Sequence, residues 1–298
     1  MERVPDIGIV SDGKPGHLDQ SLALADALRR LRPELTVREY PAMGRLKALY
    51  RWLVPDDGLR GTRLLIGAGQ RTNLSLLAMR RGAGCPAVAL MSPSLPESWF
   101  DLSIPPRHDG GEETSQRWLS DGPLNRIRPS KESRNGKGLV FVGGPSPDFH
   151  WSEAAILGQI TRLCDGGAQW TLITSPRTPS GFLRGLAALE LPGLDIHRLE
   201  QQESDWLETE MLKVKHCWVT PDSACMIYEA LSAGCAVGVF DLPAKPKSRV
   251  ATSLRSMADR GIVAHFQTVD LGGTLTPPEP PFSEADRMAQ RIVERGWF

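Results

Sequence analysis

The sequence predicts an α/β fold with two Rossmann-like domains that face each other across a cleft. Short apolar runs alternate with amphipathic stretches along most of the chain, a pattern typical of parallel sheets with helical crossovers. One polar, basic stretch without periodicity, NRIRPSKESRNGK, interrupts this alternation, which then restarts. The length of 298 residues suits two ordinary domains. These observations together favour two α/β domains over one large domain.

In the first half, the apolar runs predict five strands separated by amphipathic helices. The first helix carries Leu18, Leu22, Ala25 and Leu28 on one stripe. The predicted strands are IGIVSD (7–12), LTVREY (35–40), RLLIGAG (63–69), AVALMSP (87–93) and FDLSIPP (100–106). The predicted helices span 18–31 and 71–81. The amphipathic stretch RLKALYRWLV (45–54) is either a packed helix or a segment that rests on a membrane surface.

The same alternation resumes after the polar stretch. The predicted strands are LVFVGGP (139–145), QWTLITSP (169–176), DIHRLE (195–200), HCWVTPD (216–222) and AVGVFDLP (236–243). The predicted helices are 152–163, 181–190, a helix around Trp206, 222–234, 247–260 and 284–295. The stretch 268–282, rich in Gly and Pro, predicts a loop. The predicted domains are 1–127 and 138–298, joined by a linker at 128–137, and the last helix is expected to pack back on the first domain.

The composition limits the class of partner and the compartment. Lys plus Arg and Asp plus Glu both number 35, so no strongly basic field favours a nucleic acid. The five cysteines form no C-x-x-C motif, and no signal peptide is recognisable, which predicts a cytoplasmic protein with reduced thiols. No apolar run reaches the roughly 18 residues that span a bilayer, and peripheral contact with the inner membrane face stays open. The sequence does not fix the oligomeric state.

In open parallel sheets, ligands bind at the carboxyl ends of the strands, so the loops found there are the candidate sites. The loop SDGKPGHLDQS after the first strand combines glycines, a lysine and the start of a helix, which favours an anion. The candidates for a phosphate or acceptor site in this loop are Asp12, Gly13, Lys14, Gly16 and Gln20. His17 could act as a general base or have a structural role.

Three loops of the second half form the candidate donor site. GGPSP supplies Gly143, Gly144 and Ser146, and TSPRTP supplies Thr174, Ser175 and Arg177, whose guanidinium suits a phosphate. Ordinary loops that end in helix caps at Ser152 and Ser180 are the simpler alternative.

The third of these loops opens the helix of VTPDSACMIYEALSAG. Asp222 or Ser223 fits the N-cap position, where the free amides could instead receive a pyrophosphate. Met226 and Glu229 lie nearby on the same predicted helix, and Glu229 could accept two ribose hydroxyls. No His, Asp, Glu or Cys cluster has metal-ligand spacing and no D-x-D motif occurs, so we expect neither a metal nor a cofactor.

Seven motifs in order resemble the elongated-mitochondria (ELM) fission protein family: SDGKPGHLDQSLALADAL, GAGQRTN, LMSPSLPESWFDLSIPPRHD, GPLNRI, VFVGGPS, TSPRTP and VTPDSACMIYEALSAG. The resemblance covers roughly residues 6 to 243. Bacterial members of that family are usually described as proposed glycosyltransferases. The resemblance implies a GT-B fold, in which the N-terminal domain holds the acceptor and the C-terminal domain holds a nucleoside-diphosphate-sugar as substrate.

By the same resemblance, Thr220, Asp222 and Ser223 would meet the diphosphate and Glu229 the ribose. His17 or Asp19 would be the catalytic base. The acceptor is unknown and could be membrane-associated. This sequence departs from the better-studied transferases in its DGKPGH loop, and plant members of the family act in recruitment. Two alternatives therefore stay open: a non-catalytic scaffold of the same fold, and a sugar-nucleotide epimerase that would use Asp12, Asp19 and Asp148.

Overall fold

A computed structural model describes residues 4–129, 134, 137–201, 206–269 and 275–298. The chain divides into two compact units: Met1–Arg126 together with Ser283–Phe298, and Ile127–Phe282. Each unit contains one entirely parallel sheet flanked by helices, so the α/β class with two Rossmann-like domains is confirmed. Among the described residues, no helix is both long and apolar enough to cross a lipid bilayer.

The N-terminal unit has a five-stranded sheet in the order β2-β1-β3-β4-β5. Its strands are β1 (Ile7–Ser11), β2 (Val37–Pro41), β3 (Leu64–Ala68), β4 (Ala87–Leu90) and β5 (Leu102–Ile104). Its first three helices are α1 (Pro15–Leu31), α2 (Arg45–Leu53) and α3 (Asn73–Ala83). Helix α1 begins three residues before the predicted start because Pro15 occupies its first turn, where a missing amide costs nothing.

The C-terminal unit has a six-stranded sheet in the order β11-β10-β9-β6-β7-β8. Its strands are β6 (Gly138–Val142), β7 (Trp170–Thr174), β8 (Leu194–Arg198), β9 (His216–Val219), β10 (Ala236–Val239) and β11 (Ala264–His265). Its helices are α4 (Glu153–Cys164), α5 (Ser180–Ala188), α6 (Trp206–Lys213), α7 (Ala224–Ser232) and α8 (Arg249–Asp259). The strand β11 was not predicted, because two residues are too few to show the alternation of apolar and polar side chains that indicates a strand.

Helix caps follow the sequence in some places and not in others. The Ser152 hydroxyl accepts from the Ala155 amide at 3.3 Å and caps α4, as predicted. Ser180 does not cap α5: the helix starts at Ser180 itself, after Pro179, and has no side-chain cap. Ser248 caps α8 by accepting from the Ala251 amide at 3.0 Å.

The last helix, α9 (Glu284–Glu294), belongs to the N-terminal unit although the whole C-terminal unit precedes it in the chain. Its buried residues Ala285, Met288, Ala289 and Ile292 join the cluster that packs α1 against the sheet. The predicted domain boundary at 127/128 and the observed boundary at Arg126 differ by one residue. Most of the predicted linker 128–137 lies outside the described residues, as does 270–274 of the predicted loop.

Candidate functional site

Three loops of the C-terminal unit meet at one edge of its sheet. They follow β9, β6 and β7, which are parallel neighbours, so their carboxyl ends lie side by side. The Gly143 amide donates to Thr220 Oγ1 at 2.8 Å, and the Gly144 amide donates to Asp222 Oδ2 at 2.9 Å. These bonds join the loops after β6 and β9, two of the loops that the sequence predicted as one donor site.

The guanidinium of Arg177 connects the third loop to the other two. Its Nη2 lies 2.9 Å from Asp222 Oδ2 and 3.3 Å from Ser223 Oγ, and its Nη1 lies 3.4 Å from the carbonyl oxygen of Gly144. The Arg177 side chain is 44% exposed, whereas that of Asp222 is 1% exposed. The buried carboxylate therefore holds the guanidinium in place, and part of that group still faces solvent.

Both glycines of the loop after β6 are needed for this close approach. A Cβ built on Gly143 would lie 2.0 Å from Asp222 Oδ2, and one on Gly144 would lie 2.1 Å from the backbone oxygen of Arg177. No side chain is accommodated at such distances without a shift of the neighbouring atoms. The pair of glycines thus allows Arg177 and Asp222 to close over the loop.

Hydroxyls in the loops after β6 and β7 mainly stabilise the loops themselves. Ser146 Oγ accepts from the Asp148 amide at 3.2 Å, which forms a local turn rather than the start of a helix. The Ser175 amide donates to Thr178 Oγ1 at 2.9 Å, and that hydroxyl donates to the Gly143 carbonyl at 2.7 Å. Thr174 is buried at the end of β7. Ser146 therefore lies in this turn and not at a helix start, because α4 begins only at Glu153.

Helix α7 starts directly at this corner. Ser223 occupies the N-cap position but makes no side-chain cap bond, because its hydroxyl points to Arg177 instead. The predicted N-cap position is thus confirmed for Ser223, but its side chain does not cap the helix, and the first-turn amides of α7 have no acceptor within the helix. Glu229 lies one turn beyond the exposed Cys225 on the same face, and Met226 is half-buried between them in sequence.

The pKa of the Cys225 thiol depends on the charged side chains near it. Nearby atoms desolvate the thiol and raise its pKa although the residue is exposed, the Glu229 carboxylate raises it further, and Arg177 opposes both effects. Glu229 and Arg177 therefore both act on the first turn of α7. Sequence reasoning missed Cys225, since nothing in the pattern distinguished it from the four buried cysteines.

The N-terminal unit has its own polar pair at the carboxyl end of β1. His17 Nδ1 lies 3.2 and 3.1 Å from the two carboxylate oxygens of Asp12, whose side chain is 1% exposed. Burial raises the pKa of Asp12, but hydrogen bonds from the Lys14 amide and the His17 ring outweigh it and keep this pKa below its usual value. A neutral His17 consequently carries its proton on Nδ1, which leaves Nε2 free to accept a proton.

Gly69, after β3, supports the same imidazole. Its φ is +83°, and a Cβ there would lie 2.3 Å from His17 Nδ1, so the ring packs directly on this glycine. The GAGQRTN motif contained this signal, but its meaning depends on β3 being the neighbour of β1 in the sheet. Gly69 is therefore a positioning residue that sequence reasoning did not single out.

The other residues predicted in this loop divide into two groups. Gly13 has φ +81° and forms the turn, and the exposed Lys14 is the N-cap residue of α1. Gly16 and Gln20 lie on the helix, where Gln20 Nε2 donates to the Gly16 carbonyl at 3.4 Å. Asp19 follows His17 by two residues, so it projects from a different face of α1. Burial raises the pKa of Asp19, Arg126 opposes the rise, and Asp26 adds to it.

A cavity of about 490 Å³ opens beside this pair, at the ends of β1 and β2. Ser11, Asp12 and Gly13 contribute one wall, and Tyr40 and Arg71 are among the residues that line the rest. An acidic side chain, an aromatic ring and a cation thus border one cavity of suitable size for a small polar group. Within the described ranges, no group of three or more His, Cys, Asp or Glu side chains could hold a metal ion.

Comparisons with known proteins agree with this architecture. The chain belongs to the family described as Mitochondrial fission ELM1, which it matches over residues 15–296. A segment of 56 residues is 43% identical to the UDP-N-acetylglucosamine–N-acetylmuramyl-(pentapeptide) pyrophosphoryl-undecaprenol N-acetylglucosamine transferase of Saccharopolyspora erythraea. This segment covers 19% of the chain and 14% of that relative.

Solved structures show the same fold at low identity. A proposed UDP-N-acetylglucosamine 2-epimerase from Listeria monocytogenes has a TM-score of 0.58 at 10% identity, with 96% of this chain and 94% of that chain covered. A glycosyltransferase from Rickettsia africae has a TM-score of 0.50 at 9% identity, with 97% and 87% covered. The fold is therefore of the GT-B type, with two Rossmann-like domains.

Proposed function

We propose that this chain is a glycosyltransferase that moves a sugar from a nucleoside-diphosphate-sugar to an acceptor hydroxyl. One observation carries the proposal: a partly exposed guanidinium is held at the start of α7, against a two-glycine loop. Such a corner combines a fixed cation with free helix amides, which together suit the two phosphates of a leaving nucleoside diphosphate.

The donor would bind to the C-terminal unit. Arg177 and the first-turn amides of α7 would contact the diphosphate. The Ser223 hydroxyl, which accepts from Arg177, would be able to donate its own proton to a phosphate oxygen. Asp222 keeps Arg177 in place and neutralises part of its charge, so it acts as a positioning residue. Glu229, one turn beyond Cys225, would accept hydrogen bonds from ribose hydroxyls.

The acceptor would be activated by the N-terminal unit. His17 Nε2 would take the proton of the acceptor hydroxyl, and Asp12 would stabilise the imidazolium that forms. The acceptor oxygen then bonds to the anomeric carbon of the sugar, while the bond from that carbon to the diphosphate oxygen breaks. The electron pair of the broken bond stays on the diphosphate, where Arg177 and the helix amides offset the charge.

Two other functions share this fold. A scaffold would act by recruiting a partner; it could keep nucleotide binding but needs no aligned catalytic residues. An epimerase would need several carboxylates around one sugar. Asp12, however, is bonded to His17, Asp148 Oδ1 accepts from Ser248 at 2.8 Å, and Asp19 has Asp26 and Arg126 as its charged neighbours. These separate environments favour the transferase.

Thermal unfolding with nucleoside diphosphates tests the donor site. A ligand at a hundred times its Kd adds about 2.7 kcal/mol to the free energy of unfolding, so the matching diphosphate should raise Tm by several degrees. Arg177→Gln and Glu229→Gln should each weaken nucleotide binding about tenfold or more, because each removes a hydrogen bond of a charged group. Arg184→Gln, an exposed arginine of α5, is the matched control and should bind like the unaltered protein.

The two units give separate readouts. His17→Gln should keep the nucleotide-induced rise in Tm and lower the rate of donor consumption by about a hundredfold or more, since the base is lost. If no nucleoside diphosphate at millimolar concentration raises Tm, the transferase proposal is wrong and the scaffold is favoured. If His17→Gln weakens nucleotide binding but not turnover, His17 is not the base.

A further inference from the structure

An unusual apolar surface surrounds α2 in the N-terminal unit, away from the residues assigned above. Of the nine residues of α2, only Ala48 is buried, and the helix packs beside α3 through this side. Leu46 is 86% exposed, and other large apolar side chains of α2 and the residue after it are also exposed: Leu49, Tyr50, Trp52, Leu53 and Val54. We call α2, α3 and the adjoining Trp99 the α2–α3 surface.

A groove of about 880 Å³ runs along this surface. Leu49 and Trp52 of α2 line it together with Leu74 of α3, and Trp99 contributes a second indole, itself 51% exposed. Isolated exposed apolar residues are common on proteins, but a contiguous set that includes two indoles usually marks a binding surface. The packing within the N-terminal unit leaves this surface uncovered.

Arg80 and Arg81 line the groove, further cations lie on α2, and these charges are only partly neutralised. Arg51 pairs with Asp56 at 3.2 Å, and Arg80 pairs with Asp101 at 2.7 Å. Arg45, Lys47 and Arg81 have no carboxylate within ion-pair distance in the described part of the chain, and Arg81 instead lies 4.9 Å from the centre of the Trp52 ring. The formal net charge of the whole chain is zero, so this excess of positive charge is local.

We propose that the α2–α3 surface binds the face of a membrane that contains anionic phospholipids. Exposed leucines and indoles suit the boundary between headgroups and acyl chains, and lysine and arginine beside them suit the negative surface potential. Residues 45–55 contain no acidic side chain, so this segment would not repel the negative charge of anionic lipids.

The position of the surface connects it to the proposed reaction, on which this part of the inference rests. Gly44 lines the 490 Å³ cavity beside Asp12, and Arg45 is the first residue of α2. A membrane on the α2–α3 surface would therefore lie next to this cavity, which Asp12, the partner of the proposed base His17, also lines. The substrate class that follows is an acceptor anchored in the bilayer whose reacting hydroxyl lies at the level of the headgroups.

Flotation with lipid vesicles tests the proposal on the full chain. The protein should float with vesicles of phosphatidylcholine and phosphatidylglycerol in equal parts, and less with phosphatidylcholine alone. The double variant Arg45→Gln/Lys47→Gln should weaken binding about fivefold for each cation removed. Leu46→Glu should abolish most of it, whereas Leu189→Glu, at a leucine of the C-terminal unit that is 41% exposed, should not.

Several outcomes would overturn the inference. They are equal binding to both vesicle types, no loss in Leu46→Glu, or an oligomer that forms through this surface and does not bind vesicles. Thermal unfolding of each variant shows that it is folded, and nucleotide binding measured on the same samples separates the two proposals. A chain that binds a nucleoside diphosphate but no vesicle refutes the membrane surface alone, and a chain that binds vesicles but no nucleotide refutes the donor site alone.

Discussion

The Asp12–His17 pair shows how one short loop fixes the chemistry of an imidazole. The carboxylate is buried, accepts from the Lys14 amide and the ring, and so remains ionised. A histidine without such a partner could carry its neutral-state proton on either nitrogen. Here Asp12 selects Nδ1, and the close packing of the ring on Gly69 restricts its orientation. The loop thus keeps Nε2 of the neutral ring unprotonated and able to accept a proton before any substrate binds.

The exposed Cys225 offers a probe of the donor corner, because the other four cysteines are buried. Its raised pKa predicts slow alkylation near neutral pH and a rate that increases through the alkaline range as the thiolate forms. Glu229→Gln should lower this pKa and speed alkylation at a fixed pH, and Arg177→Gln should do the opposite. Iodoacetamide labelling followed by mass spectrometry measures both rates.

A control and a ligand complete that experiment. Cys225→Ser should remove this labelling, and the nucleoside diphosphate that raises Tm should slow it in the unaltered protein. Equal effects of the two charge variants would contradict the geometry described for α7.

At the level of single residues, the sequence predicted which loops meet at the sheet edge better than it predicted the hydrogen bonds within them. Gly143, Gly144, Arg177 and Ser223 come together because parallel strands end at one edge, a rule that applies before any coordinates are known. Ser146 shows the limit of that rule. Its turn is tied down by Lys245, whose Nζ donates to the Ser146 carbonyl at 2.7 Å from 99 positions away. No local pattern contains such a long-range bond.

Among the secondary-structure elements, α9 stabilises a unit that is distant in sequence. Met288 is fully buried in the cluster between α1 and α9. Met288→Ala should lower the free energy of unfolding of the N-terminal unit by about 2–5 kcal/mol, since it leaves a cavity. Gln290→Ala, on the exposed face of the same helix, should change it by about 0.5 kcal/mol or less. Urea unfolding measures both, and equal losses would show that α9 does not pack as described.

Secondary structure was predictable where the pattern of apolar residues was regular over a whole strand or helix. The strands β1, β3 and β6 are almost entirely buried runs, and α1 and α9 carry regular apolar stripes. Helix α2 was harder to interpret, because a stripe of leucine and tryptophan looks the same whether a protein or a membrane covers it. The exposed fractions of Leu46 and Trp52 show that the described part of this chain does not cover the stripe.

For the whole molecule, the discontinuous N-terminal unit leads to a prediction about fragments. Residues 127–282 should fold alone and retain nucleotide binding, because their sheet and core lie within that range. Residues 1–126 should not fold alone, since the face of α1 that packs on α9 would be exposed. A flexible linker from residue 126 to residue 283 should restore folding, because the Asp121 amide already donates to Glu284 Oε2 at 2.6 Å.

Circular dichroism and urea unfolding of the three fragments provide the measurement. Cooperative unfolding of residues 1–126 by themselves would contradict the role given to α9. A fragment 127–282 that folds but binds no nucleotide would show that the donor corner needs more than its own unit.

The return of the chain to its starting unit also sets an order of events during translation. A ribosome finishes β1 to β5 early, but the residues that close their core are made last, after the complete C-terminal unit. The N-terminal unit therefore cannot complete its fold until α9 is made, and until then the apolar side of α1 is exposed. The C-terminal unit can fold before that. We expect the nascent chain to be most dependent on chaperones in that interval.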